Sequence, residues 1–201
     1  MKRIGIYGGS FDPVHHGHLL VAQAALEELS LDRLVFVPAA RSPFKPDADP
    51  APATERVRLL RLALAGEPRC SVDLLELDRG GVSFTVETLR TIRARHPDAT
   101  LFYLVGDDHV ATLPKWKDAD ELATLAEFAV IPRPGVQPAV LPEPFRGHRL
   151  CGFPLGVSSS QIRERVRRGL PLRGLVPAAV AEAIANNRLY LSRGVPHSPA
   201  R

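Results

Sequence analysis

The run Gly8-Gly9-Ser10-Phe11-Asp12-Pro13-Val14-His15-His16-Gly17-His18 constrains this chain more than any other stretch of it. It follows a short apolar run, Ile4-Gly5-Ile6-Tyr7, and precedes an amphipathic one, Leu19 to Leu29, so it reads as the turn between a first strand and a first helix. Such a turn lies at the carboxyl end of a parallel strand, where open α/β sheets bind ligands. The helix N-terminus aims backbone N–H groups and the positive end of its dipole at the same spot, so an anion is the natural guest. Three of the seven histidines stand there, and imidazole donors can follow charge as it develops on phosphate oxygens.

Blander readings exist for each part. The glycines could serve only the turn, and His15 or His18 alone could cap the helix. Their concentration at one strand–helix junction favours a nucleotide site over those readings. Metal ligation is the weaker alternative: His15 and His18 lie three apart, and no nearby cluster of cysteine, aspartate or glutamate completes a ligand set. No protein-held metal is expected.

Alternating elements follow. Leu34 to Val37 reads as a second strand ended by Pro38, and Thr54 as the cap of a helix with Val57, Leu60 and Leu64 on one face. Val72 to Leu77 reads as a strand. Thr85 opens a helix through Arg95, stopped at His96-Pro97. Leu101 to Val105, nearly all apolar, suits a buried parallel strand. Asp118 to Leu125 reads as helix and Phe128 to Ile131 as strand. A short strand falls at Arg149-Leu150-Cys151, Ser158 or Ser159 caps a helix to Arg168, and Pro177 opens a last helix ending at Asn186-Asn187. Strands alternating with helices predict an α/β fold with a doubly wound parallel sheet. Residues 1–191 are expected to form one domain, with 192–201 a disordered tail.

Composition narrows the setting. At 201 residues with a formal charge of +4, the chain suits one α/β core and hints at anionic partners, yet no basic stripe interleaved with aromatics marks a nucleic-acid binder. No apolar run reaches membrane-spanning length, and Gly8-Gly9-Ser10 interrupts any signal-peptide core. Cys70 and Cys151 imply no disulfide framework, so a reducing cytoplasm is expected. The cations are nearly all arginine, with lysine only at positions 2, 45, 115 and 117. Oligomeric state leaves no trace in the pattern.

The middle of the chain carries a second set of chemistry. Gly106-Asp107-Asp108 follows an apolar strand directly, where an aspartate can accept hydrogen bonds from ribose hydroxyls or simply close an Asx turn. Trp116, the single tryptophan, lies in the polar run Pro114-Lys115-Trp116-Lys117-Asp118. It could pack over a helix end or present its face to a flat ring, where a cationic ring would add about 0.5–2 kcal/mol.

These strings also resemble known signatures. GGSFDPVHHGH is similar to the GxFxPxHxGH motif of the nucleotidyltransferase superfamily, and Val157-Ser158-Ser159-Ser160-Gln161-Ile162-Arg163 resembles that superfamily's ISSTxIR motif. The runs Asp78 to Leu89 and Gly106 to Asp118 resemble the RxGxSYTxxTL and GxD…W segments of bacterial nicotinate-mononucleotide adenylyltransferases. The order matches over most of residues 2–190.

The resemblance implies a Rossmann-like nucleotidyltransferase fold and transfer of AMP from ATP to nicotinate mononucleotide, releasing pyrophosphate, in NAD biosynthesis. It casts His15, His18 and Arg163 as catalytic residues. ATP would be bound by Gly8, Gly9, Ser10, Phe11, Gly106, Asp108, Ser158, Ser159 and Ser160. Nicotinate mononucleotide would be held by Lys45, by backbone N–H groups of Thr85 and Lys117, and by stacking on Trp116. Mg²⁺ would accompany ATP, held by phosphates and water. Phe44 replaces a family histidine and Phe84 a family tyrosine. Two other readings are nicotinamide mononucleotide or another phosphorylated acceptor, and a nucleotide-sensing module without turnover. Intact His15, His18 and Arg163 speak against the sensor.

Overall fold

The computed structural model describes residues 1–43 and 49–191. Strands and helices alternate along them as β1 (Arg3–Gly9), α1 (His16–Glu28), β2 (Arg33–Pro38), α2 (Ala53–Ala63), β3 (Cys70–Val72), α3 (Leu75–Arg79), α4 (Thr85–Arg95) and β4 (Thr100–Gly106). The second half continues with α5 (Asp107–Val110), α6 (Ala119–Leu125), β5 (Glu127–Ile131), β6 (Gly147–Arg149), α7 (Ser159–Arg167) and α8 (Ala178–Asn186). The strands form one sheet in the order β3-β2-β1-β4-β5-β6, with every neighbouring pair parallel. This is the expected doubly wound sheet, and its order reverses between β1 and β4. A crevice opens there because the loops after these two strands depart to opposite faces.

Two apolar layers follow from the period of two along each strand. Leu34, Phe36, Phe102, Leu104 and Ala129 face α1, α2, α7 and α8, meeting Ala25, Leu26, Leu59, Leu60, Ile162 and Ile184. Ile4, Ile6, Val35, Leu101 and Phe128 face the other way, toward Val86, Leu89 and Ile92 of α4 and Leu122 of α6. With both faces covered, the central strands read as unbroken apolar runs rather than alternating ones. Each buried leucine or phenylalanine here contributes about 1.5–3 kcal/mol relative to exposure.

Several sequence expectations need correction. Thr54 does not cap α2: the N-cap is Pro52, with no side-chain cap bond, and Thr54 lies inside the first turn. The strand expected over Val72 to Leu77 ends at Val72, because the Asp73 carboxylate accepts the Leu75 N–H at 3.1 Å and turns the chain into α3. The last strand lies two residues earlier than expected, at Gly147–Arg149. Gly147 explains that register, since a Cβ there would lie 1.9 Å from the Phe128 carbonyl oxygen and only glycine lets β6 approach β5. The helix α4 matches its expected bounds, and Ser158 caps α7 in a reciprocal box with Gln161. Lys45 and residues 192–201 lie outside the described residues.

Candidate active site

The glycine turn after β1 carries the chain to His15, the N-cap of α1, and both His15 and the neighbouring turn residue Asp12 are buried. The imidazoles of His15 and His18 stack with centroids 3.7 Å apart. The His15 N–H donates to Nδ1 of His18 at 3.2 Å. With Nδ1 accepting, the His18 proton belongs on Nε2, which makes that nitrogen a donor. Burial first, then the charges of Arg133 and His16, push the His15 imidazole down to about 4. Burial, His15 and Arg133 hold His18 well below its ordinary value. Both rings are therefore neutral at pH 7, and Nδ1 of His15 is buried without a hydrogen-bond partner.

Two clefts meet at the His18 ring. The first, about 500 Å³, is lined by His15, Gly17, His18, Ser158 and Gln161, with Arg133 and Pro134 and the segment from Gly152 to Val157. The second, about 380 Å³, is lined by Gly8 to Phe11, His18, Thr85, Tyr103, Gly106 and Trp116. Tyr7, His18, Asp108, Ile131 and Arg133 line both. A small recess of about 120 Å³ adjoins the second cleft and brings Thr85, Trp116 and Lys117 together with Phe84 and Val86.

Gly8, Gly9, Ser10, Phe11 and Gly106, all expected with ATP, thus line the same cleft as Thr85 and Trp116, while Asp108 faces both. A Cβ at Gly106 would lie 2.4 Å from Oδ1 of Asp108, so a larger residue there would turn the Asp108 carboxylate aside. The two aspartates divide in role. Asp107 is buried, takes two hydrogen bonds from Arg149 at 2.6 and 3.0 Å and one from the Ala139 N–H, and ties β4 to the β6 side of the sheet. The Arg149 hydrogen bonds hold its carboxyl below the usual range. Asp108 instead lies 3.4 Å from Arg133 at the mouth of the clefts.

Trp116 packs edge-on against Tyr103, with centroids 6.3 Å apart, and its Nε1 donates to Oγ1 of Thr112. It packs over a short helical turn and lines the second cleft. Thr85 opens α4, where a backbone N–H has no partner within the helix. The Lys117 ammonium is bound to Glu87 at 2.6 Å and lies 4.4 Å from the centre of the Phe84 ring.

At the far side, α7 presents its N-terminus beside the glycine turn. Ser159 donates to the Pro13 carbonyl at 2.9 Å, and Arg163 donates to the Asp12 carbonyl at 2.7 Å and to Oγ of Ser160 at 3.2 Å. Ser158 lines the first cleft and Ser159 the second; Arg163 and Ser160 line neither. Sequence reasoning missed Arg133, Tyr7 and Tyr103. Arg133 was findable, since it follows β5 directly and the carboxyl-edge argument used for β1 and β4 applies there too. Among the described residues no group of three or more His, Cys, Asp or Glu is placed to hold a metal ion.

Comparison with known proteins agrees with this fold. A family model described as cytidylyltransferase-like matches residues 6–165. A curated relative from Herpetosiphon aurantiacus is 41% identical over 96% of this chain and 100% of its own, and one from Gemmatimonas aurantiaca is 45% identical over 94% and 92%. Both carry the name "Probable nicotinate-nucleotide adenylyltransferase". The solved structure of Plasmodium falciparum nicotinic acid mononucleotide adenylyltransferase complexed with NaAD superposes with a TM-score of 0.76, covering 94% of this chain and 98% of that one, at 18% identity. That likeness speaks to the fold.

Proposed function

The chain belongs to the nicotinate-nucleotide adenylyltransferase family, and from that premise we propose that it joins ATP and nicotinate mononucleotide across the two clefts. The phosphate oxygen of nicotinate mononucleotide attacks the α-phosphorus of ATP, giving nicotinate adenine dinucleotide and pyrophosphate. The observation that carries this reading is the meeting of the clefts at His18, one side bearing helix N-termini for phosphates and the other a tryptophan and an α4 N-terminus for a flat anionic ring.

A phosphate monoester is already ionised at pH 7, so no general base is required. The protein's work is to align two anions in line and to neutralise charge growing on the leaving pyrophosphate. His18, neutral and with its proton on Nε2, is the donor for that charge, and His15 holds its tautomer through the backbone N–H. Ser158, Ser159 and Ser160 at the start of α7 take the outer phosphates. Arg163 makes two hydrogen bonds within the protein and lies 3.6 Å from the Asp12 carboxylate; in this reading it turns its remaining donors toward the same phosphates. Gly8, Gly9, Ser10 and Phe11 let the chain approach the reacting phosphates closely, and Gly106 and Asp108 hold the adenosine ribose.

In the recess, Trp116 stacks on the pyridine ring. Backbone N–H groups of Thr85 and Lys117 bind its carboxylate, and Lys45 takes the mononucleotide phosphate. Such donors prefer a carboxylate to an amide, which would set a donor against donors. Mg²⁺ would accompany ATP, held by phosphates and water rather than by these side chains, and would supply charge neutralisation there. Residues 1–191 act as one domain in this reading, supported by the single sheet. A cytoplasmic setting is supported by two free cysteines. Among the described residues no helix is long and apolar enough to cross a membrane.

The test is pyrophosphate release from MgATP with nicotinate and nicotinamide mononucleotides compared side by side. A kcat/KM higher for nicotinate by about a hundredfold, roughly 2.7 kcal/mol, is expected. Equal rates would remove the N–H-lined carboxylate site, and no release with either would overturn the reaction.

A further inference from the structure

Phe11 stands in the middle of the glycine turn with φ of 47°, a left-handed conformation in which a bulky side chain is a genuine outlier. Its ring is 2% exposed and meets the His18 imidazole edge-on at 5.1 Å. A strained residue of this kind persists only where its surroundings over-determine it, and the ties lie on either side of it. Before Phe11, the Ser10 carbonyl accepts Nη1 of Arg56 at 2.8 Å. After it, Oδ1 of Asp12 accepts the Tyr190 hydroxyl at 2.9 Å and the Ala51 N–H at 3.2 Å. Arg56 also donates Nε to the Ala51 carbonyl at 3.1 Å, so Ala51 is held at both its polar groups.

Neither Arg56 nor Tyr190 lines a cleft at His18. Arg56 is 2% exposed, an uncommon place for a guanidinium. Tyr190 is itself left-handed, with φ of 63°, and lies beyond the residues matched by the family model. A packing role alone would need neither the fork that spans two carbonyls nor the hydroxyl that reaches a carboxylate.

We infer that Arg56 and Tyr190 are positioning residues for nucleotidyl transfer, holding Phe11 in its left-handed conformation and thereby the His18 ring at the reacting phosphate. The turn after α8 is thus tied to the active site without touching substrate. The inference rests on the proposed reaction, because its effect is read as alignment of His18.

Tyr190→Phe removes one oxygen, and Arg56→Lys keeps the charge while losing the fork that spans two carbonyls. The expected result is a kcat lower by about tenfold for Tyr190→Phe and by up to about a hundredfold for Arg56→Lys, the scale of a small misalignment at the reacting atoms. KM for both substrates should stay within about threefold, since neither residue contacts them. The His18→Ala background supplies the decisive control: there Tyr190→Phe should change kcat by less than about twofold, because the ring it positions is gone. A kcat within twofold of the parent for Tyr190→Phe overturns the inference, as does a tenfold loss that persists in the His18→Ala background. If the parent transfers AMP to another phosphomonoester, the same ratios are read on that acceptor. Failure of the substrate assignment and failure of the positioning role therefore give different results.

Discussion

The cleft beside His15 and the cleft beside Trp116 share a wall but are made differently. The first combines the starts of α1 and α7 with the long irregular segment that ends at Val157. The second combines the ends of β1 and β4 with the start of α4 and the edges of buried aromatic rings. The first offers helix N-termini and the neutral His15 imidazole, the second adds Trp116 and the start of α4 to the glycine turn, and His18 faces both. The difference teaches how one sheet edge handles two anions: charge is met by dipoles and hydrogen bonds, while identity is read by shape.

If that division holds, substitutions on the two sides should separate kcat from KM. The largest effect is expected at the shared wall. His18→Ala should lower kcat by about a hundredfold or more, the size of one lost transition-state donor, while ATP affinity measured by titration stays within about tenfold. If affinity and turnover fell together, His18 would be a binding residue instead.

A smaller and one-sided effect is expected from Trp116→Ala, with KM for nicotinate mononucleotide raised about tenfold and KM for ATP unchanged. Trp116→Phe should recover much of the loss. A matching rise in KM for ATP would show the clefts to be one site rather than two.

The third expectation concerns stability. Burial lowers the His15 pKa from its ordinary value of 6.5 to about 4 on folding, so between these values the unfolded chain binds more protons than the folded one, and stability must rise with pH. Urea titrations should show a full contribution above pH 6.5, lost as pH falls toward 4, with a slope approaching about 1.4 kcal/mol per pH unit for one such group. His18, lowered further, steepens the loss in the same direction. His15→Gln should flatten the profile, and an unchanged slope would place the titration elsewhere.

The two clefts also differ in how far they could be read before folding. His15, His18, Thr85, Gly106 and Ser158 were legible because each stands where a strand or loop gives way to a helix, and local pattern marks that place. Arg133 was equally local and was overlooked. Tyr7 and Tyr103 read as ordinary strand residues, and only their position beside the switch between β1 and β4 makes them lining groups. The expected strand over Val72 to Leu77 failed for the opposite reason, since one Asx turn at Asp73 outweighed an apolar run.

By itself the sequence determined the alternation of strands and helices, the glycine turn at the first strand–helix junction, and the α4 helix to its ends. These rest on interactions within about four residues, which pattern and capping chemistry record directly. Only the tertiary structure decided which cations serve the fold, and that Tyr190 reaches Asp12 across a separation of 178 residues. Such contacts follow from the twist and order of the sheet and from which buried groups can satisfy one another. Neither is written in any short stretch of chain.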